Sequence, residues 1–187
     1  MLLRFFSRMS TRPLAVLVLA LACFLVSCRG SDGGGEGLLA GMKPKRAQGV
    51  RDTDRITDGR VPPVGSGWNT NRTAVFSGRG AFVEYDLGSE KKIEAAALLG
   101  DNNDRYLVLG SLDGQTFEPL FEARPSRATG VRWREQRDLG KRARYVRLTA
   151  PSGDASLSVA ELGLFETAPS TLPPRYREMS ALDSGLH

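Results

Sequence analysis

An acid interrupts an apolar pattern near the end of the chain: Ser-Leu-Ser-Val-Ala-Glu-Leu-Gly-Leu-Phe, residues 156–165. Leu157 and Val159 alternate with Ser156 and Ser158 at the period of two that marks a strand. Continued, that alternation sets Glu161 on the face of Val159, while Leu162 and Leu164 take the opposite parity. Either the strand bulges here, or a carboxylate points inward, where a charge must be paired or metal-bound. Two polar stretches could also do chemistry. Gly-Asp-Asn-Asn-Asp-Arg-Tyr (100–106) carries Asn102, Asn103, Asp104 and Arg105, and Gly-Trp-Asn-Thr-Asn-Arg-Thr (67–73) carries Trp68, Asn69, Asn71 and Arg72. Their amides and charges suit hydroxyl-bearing ligands, and the same residue types make good turns. Trp68 has two readings, a stacking platform or a core residue, while Trp133, on a strand, reads as packed.

Covalent chemistry is poorly supplied. The single histidine is His187, the last residue, so a Ser-His-Asp or Cys-His arrangement has no base within a folded domain. The two cysteines, Cys23 and Cys28, both lie in the first 28 residues, which leaves no zinc set and no disulfide for the domain. Chemistry by carboxylates alone needs two facing acids in a cleft, for which Asp101, Asp104 and Glu161 are the candidates. Acids in the turns of a small sandwich more often belong to a binding module, so no catalytic residue is assigned. Gly65-Ser66-Gly67 and Gly78-Arg79-Gly80 lack the lysine and the following helix of a phosphate loop.

The chain has 187 residues, with 26 Lys and Arg against 21 Asp and Glu. Arg4, Arg8 and Arg12 precede an apolar run at 14–26, Leu-Ala-Val-Leu-Val-Leu-Ala-Leu-Ala-Cys-Phe-Leu-Val. The run is short for a membrane span of about 20 residues and reads as an export signal. Leu25-Val26-Ser27-Cys28 resembles a bacterial lipobox, which implies cleavage after Ser27 and a lipid on Cys28; the alternative is an ordinary signal with a chance cysteine. Losing the leader reduces the basic excess to two, which argues against a nucleic-acid partner. The expected layout is a lipoprotein signal at 1–27, a flexible, disordered tether at 28–46 rich in glycine, one folded domain at 47–166, and a Pro-rich mobile tail at 167–187 with a possible short helix near 175–182. The expected location is the bacterial cell envelope, on a membrane, with the protein a monomer.

The elements that must position the polar stretches read as all β. Residues 81–88 put Val83, Tyr85 and Leu87 on one face and Glu84 and Asp86 on the other. Residues 92–100 are apolar on both parities, as in a central strand buried on both faces, with a short helix as the rival. Residues 106–114 end in Asp113-Gly114, a hairpin signal. Pro119 makes 116–122 an edge or a bulge. Residues 131–137 and 144–150 follow, and 156–165 close the set. Short strands at regular spacing point to a β-sandwich.

Four stretches in order resemble discoidin (coagulation-factor type C) domains. They are Ile-Thr-Asp-Gly-Arg-Val-Pro-Pro-Val-Gly-Ser-Gly-Trp (56–68), Phe-Val-Glu-Tyr-Asp-Leu-Gly (82–88), Tyr-Leu-Val-Leu-Gly-Ser-Leu-Asp-Gly-Gln-Thr-Phe-Glu-Pro-Leu (106–120) and the closing pair of strands at 143–165. The resemblance spans about residues 50–166. It implies a jelly-roll β-sandwich of the galactose-binding-like kind, a non-catalytic binding domain, and a glycan as partner. The rival partner is an envelope protein held by the same loops as part of a scaffold. The residue types of the two polar loops place the candidate ligand region at Trp68, Arg72, Asn102, Asn103 and Arg105. The resemblance also implies a structural Ca²⁺ between Asp58 in the opening loop and Glu161, since a hard cation takes carboxylate and carbonyl oxygens. Arg60 directly after Gly59, and the long loop to Trp68, depart from the family's pattern. Direct pairing of Glu161 with Arg60 or another arginine is the alternative to a metal.

Overall fold

The structure is a computed structural model and describes residues 37–154 and 156–179. The expected signal, Cys28, the glycine-rich run after it and residues 180–187 lie outside the described residues.

Among the described residues twelve strands, numbered in chain order, form two five-stranded antiparallel sheets and one short parallel pair. The first sheet runs β1 (Arg46–Gln48), β5 (Phe82–Ile93), β10 (Lys141–Ser152), β7 (Arg105–Ser111), β8 (Glu118–Ala123). The second runs β2 (Val50–Arg51), β4 (Ala74–Phe76), β11 (Leu157–Phe165), β6 (Ala95–Asp101), β9 (Val131–Gln136). β3 (Arg60–Val61) pairs in parallel with β12 (Arg177–Glu178). A single 3-10 turn, Thr53–Ile56, is the helical element among the described residues. The all-β, jelly-roll sandwich expected from the sequence is the fold observed.

The core between the sheets comes from alternate positions of facing strands: Val83, Tyr85, Val108, Val146 and Leu148 from one sheet, Phe76, Leu98, Leu162 and Leu164 from the other. At about 25 cal/mol per Å² of apolar surface, such burial is the main stabilising term of a domain without cross-links. Residues 95–101 form a strand, not a helix, and every one of them is buried. Alanine's helical preference loses because both faces of β6 are covered, one by the first sheet and the other by a second apolar layer. That layer contains Val61, Leu99, Val131 and Ala160 with Trp133 and Tyr176 against them, and Ala95, Ala97 and Phe165 with Ala168 and Leu172.

Packing extends beyond both expected domain limits, at the C-terminal end through the second layer and at the N-terminal end through the main core. The tail expected to be mobile from residue 167 is packed as far as Met179, which is buried. Tyr176 stacks on Trp133 with ring centroids 5.0 Å apart, and Arg137 holds the carbonyls of Pro169 and Ser170. Prolines bar this segment from a ladder interior but not from lying extended across an apolar face. Residues 177–178 are strand β12, not helix. At the other end the fold begins before residue 47. Leu39 is fully buried, and the Leu38 amide donates to the Leu164 carbonyl at 2.7 Å. The apolar pair Leu38-Leu39 follows the glycine-rich run directly, without a period, which hid it in the sequence.

On the outer face of the first sheet, the acids opposite Val83 and Tyr85 are covered by basic side chains. Glu84 is 2% exposed and pairs with Arg147 at 2.6 Å; the Arg147 guanidinium lies 3.9 Å from the Phe117 ring centroid and 4.9 Å from that of Phe82. Asp86 takes Arg144 and Lys45. Arg142 pairs with Glu90.

Candidate functional site

Two cavities carry the polar residues that the sequence singles out. The first surrounds Glu161. β11 and β6 slip register between Val159 and Glu161, leaving Ala160 as the extra residue of a bulge. The bulge moves the inward set from Leu157 and Val159 to Leu162 and Leu164, and it aims Glu161 at the opening loop. Both alternatives raised by the sequence therefore hold, since the strand bulges and the acid is buried, 3% exposed. Its Oε2 accepts the Gly59 amide at 3.0 Å. No Lys or Arg forms an ion pair with it among the described residues, so the expected arginine alternative is not formed. Burial pushes its pKa up to about 8, with the nearby Asp58 charge adding to the rise and the Gly59 hydrogen bond opposing it.

The cavity, about 260 Å³, is lined by Thr57, Asp58 and Gly59 of the opening loop, by Glu161, and by Pro174, Arg175 and Tyr176 of the C-terminal segment. Asp58 is exposed, its Oδ1 accepts the Arg60 amide at 2.9 Å, and desolvation raises its pKa despite Arg60 and Arg72. The Tyr85 hydroxyl, buried with no hydrogen-bond partner, is close enough to Glu161 for that charge to raise its pKa beyond the effect of burial. No three His, Cys, Asp or Glu side chains among the described residues gather to hold a metal. A cation would rest on the two carboxylates completed by carbonyl oxygens. The acid and carbonyl oxygens suit a hard cation and Glu161 has no ion pair among the described residues, while Arg175 and Arg177, which also line the cavity, set a positive charge against one.

The second cavity is a groove of about 300 Å³, lined by Gly67, Trp68, Asp101, Asn103, Ala128, Thr129, Gly130, Asp154 and Ser156. It lies where four loops meet: the one before β4, the β6–β7 turn, the β8–β9 loop and the β10–β11 turn. Asn103 donates to Asp154 Oδ2 at 2.9 Å, and Asp154 Oδ1 accepts the Ser156 amide. Behind them Asp104 is fully buried, its Oδ1 taking the Asp154 amide at 3.2 Å and its Oδ2 lying 3.3 Å from the Tyr106 hydroxyl. Burial, with the charges of Asp101 and Asp154 added, raises its pKa to about 6. Asp101 is raised too, by burial first and then by Asp154. Gly153 (φ 153°) passes so close to Asp104 that a Cβ there would collide with its carboxylate.

Of the five residues named for ligand contact, the structure brings two into the groove, Trp68 and Asn103. Trp68 is half-buried, between its two sequence readings. Asn102 fastens the loop. It is buried, donates to Ser126 Oγ and the Ala128 carbonyl, and accepts from Arg134. Arg105 turns to Glu122 on β8 at 2.8 Å. Arg72 lies half-buried toward Asp58, outside the groove lining. Thr129, Asp154 and Ser156 of the lining are not singled out by the sequence, and Asp101 is named there only as a candidate acid for carboxylate chemistry. Nothing local in the Pro-Ser-Gly-Asp-Ala-Ser run (151–156) says that it meets Trp68.

No family model matches the chain, and no curated protein matches it. Solved structures do. The lectin domain of lectinolysin complexed with Lewis B antigen shares 19% identity over 72% of this chain and 99% of that one, with a TM-score of 0.55. A Streptococcus pneumoniae fucose binding module shares 15% over 73% and 99%, TM-score 0.54. CpGH89CBM32-6, produced by Clostridium perfringens, shares 20% over 71% and 100%, TM-score 0.50. The fold is thus the discoidin-like, galactose-binding-like jelly roll of such modules.

Proposed function

We propose that this protein is an envelope lipoprotein, anchored through Cys28, whose discoidin-like domain binds a glycan without catalysis. The observation that carries the reading is the groove itself. An aromatic side chain, an amide, hydroxyls and carboxylates converge at one end of the sandwich, in a space sized for one or two sugar rings. The exposed large hydrophobic residues among those described, Val64 and Leu112, are single rather than a flat apolar patch, which favours a glycan over a protein partner. The shared fold supports the same reading, because the fucose binding module and the lectin domain use it. Asp58 and Glu161, with opening-loop carbonyls, would hold a Ca²⁺. The ion would supply the counter-charge that Glu161 lacks and would fasten the opening loop to β11.

The test is a broad glycan array probed with the full chain in detergent, with calcium present, beside mass spectrometry of the mature N-terminus. Selective binding and an acylated Cys28 are expected. A folded sample that binds no glycan would overturn the binding assignment in favour of a protein partner; an unmodified Cys28 would overturn the anchor.

A further inference from the structure

We infer that the Trp68 groove selects sugars that carry a free ammonium group, 2-amino-2-deoxyhexoses, over their N-acetylated forms and over acidic sugars. This rests on the glycan reading and names the substrate class of the same site.

The lining supplies two carboxylates, Asp101 and Asp154, and neither lysine nor arginine. Asp101 is 6% exposed and Asp104, fully buried, stands behind the groove wall. Each lining acid spends one oxygen on the loop: Asp101 Oδ1 accepts the Asn102 amide at 2.8 Å, and Asp154 Oδ1 the Ser156 amide. Asp154 Oδ2 also takes Asn103. A carboxylate offers about four acceptor sites, so capacity toward a ligand remains on both. Lysine and arginine stand outside the lining, and the nearest of them, Arg134, offsets part of the negative charge at Asp101 and Asp104 from behind the loop. Arg134 reaches the Asp101 carbonyl at 3.0 Å and Asn102 Oδ1 at 3.1 Å from behind the loop, and Arg127 is exposed on the chain before Ala128.

Burial of Asp101 and Asp104 disfavours their charge, and repulsion among the three neighbouring acids adds to it, as the raised pKa values of the two buried ones record. A cation in the groove relieves both effects. An ammonium group donates up to three charge-assisted hydrogen bonds to such acceptors and gains from the face of an indole beside it. A uronic or sialic acid would add a further negative charge to the same space. An N-acetyl group would bring a neutral amide with one donor. The chain as a whole is basic, +5, so the groove's sign is a local feature and a cationic sugar is not drawn to the protein by its net charge.

Titration calorimetry on the full chain in detergent, at physiological salt and a pH below the amine's own pKa, decides it. The probes are the glucosamine disaccharide with free amines and its di-N-acetyl form. The amine disaccharide is expected to bind about tenfold more tightly. Asp154→Asn should erase most of that preference while sparing the N-acetyl form, and Trp68→Ala should weaken both. Equal or better binding of the N-acetyl form, with Trp68→Ala still weakening both, overturns the ammonium preference and leaves the glycan reading standing. A preference that survives both Asp154→Asn and Asp101→Asn overturns it too. No binding of either disaccharide, together with a blank array, overturns both readings.

Discussion

Replacing Glu161 by glutamine should remove a pH dependence that the fold builds in. The folded pKa of Glu161 is about 8 against an ordinary 4.5. Between those values the native state holds a proton that the unfolded chain has released, so native stability falls as pH rises. The full shift corresponds to about 5 kcal/mol, a large share of a typical domain's margin. Asp104 titrates the same way at the lower end, up to about 6, so the clean window lies above that. From about pH 6.5 to about pH 9 the Glu161 contribution alone is about 2 kcal/mol, or roughly 4–8 °C in melting temperature for a chain of this size. Thermal melts in chelator should show that fall in the parent protein. Glutamine keeps the shape and an acceptor for Gly59 without ionising, so Glu161→Gln should melt nearly flat across the window. Calcium should raise the parent's melting temperature most at high pH, where the carboxylate is charged, and leave Glu161→Gln unmoved. A flat parent profile in chelator would refute the unpaired buried acid. A parent that falls with pH but ignores calcium would keep the acid and remove the metal.

Other parts of the structure make equally direct predictions. Asp104→Asn should be more stable than the parent at pH 8, with the gap closing below about pH 6 as the parent's Asp104 takes up its proton; a gap independent of pH would contradict the assignment. Tyr176→Ala, which strips the stacked partner from Trp133, should cost about 2–3 kcal/mol and shift tryptophan emission to the red; an unchanged melt would mean the C-terminal segment is not part of the fold. Arg147→Ala leaves the buried Glu84 without its cation and should cost about 3 kcal/mol by chemical denaturation, with partial recovery in Arg147→Ala/Glu84→Gln.

The sequence announces the sandwich because local periodicity and turn chemistry agree with the global fold. Val83 and Tyr85 alternate inward as the pattern demands, Asp113-Gly114 turns the chain between β7 and β8, and Pro119 sits on the edge strand β8. It announces β6 as buried on both faces without revealing what covers it. The cover is the Pro-rich segment whose composition reads as solvated, and only Tyr176 and Met179 hint otherwise. The anomaly at Glu161 is visible as a break in parity, because a bulge must shift the inward set by one. The groove is far less legible. Trp68, Asn103 and Asp154 meet across loops separated by dozens of residues, and no local pattern encodes that meeting. Asn102 and Asn103 are neighbours of one type, yet the turn buries the first and exposes the second.

The central claim is that the loop-end groove is the glycan site. The most direct measurement is an amide chemical-shift map of the isotopically labelled protein, titrated with the strongest ligand from the array. The account predicts saturable shifts confined to Trp68, Asp101, Asn103, Thr129, Asp154 and Ser156 and their neighbours. Shifts centred instead on the arginine–aromatic face around Phe82, Phe117 and Tyr145, with the groove silent, would contradict it.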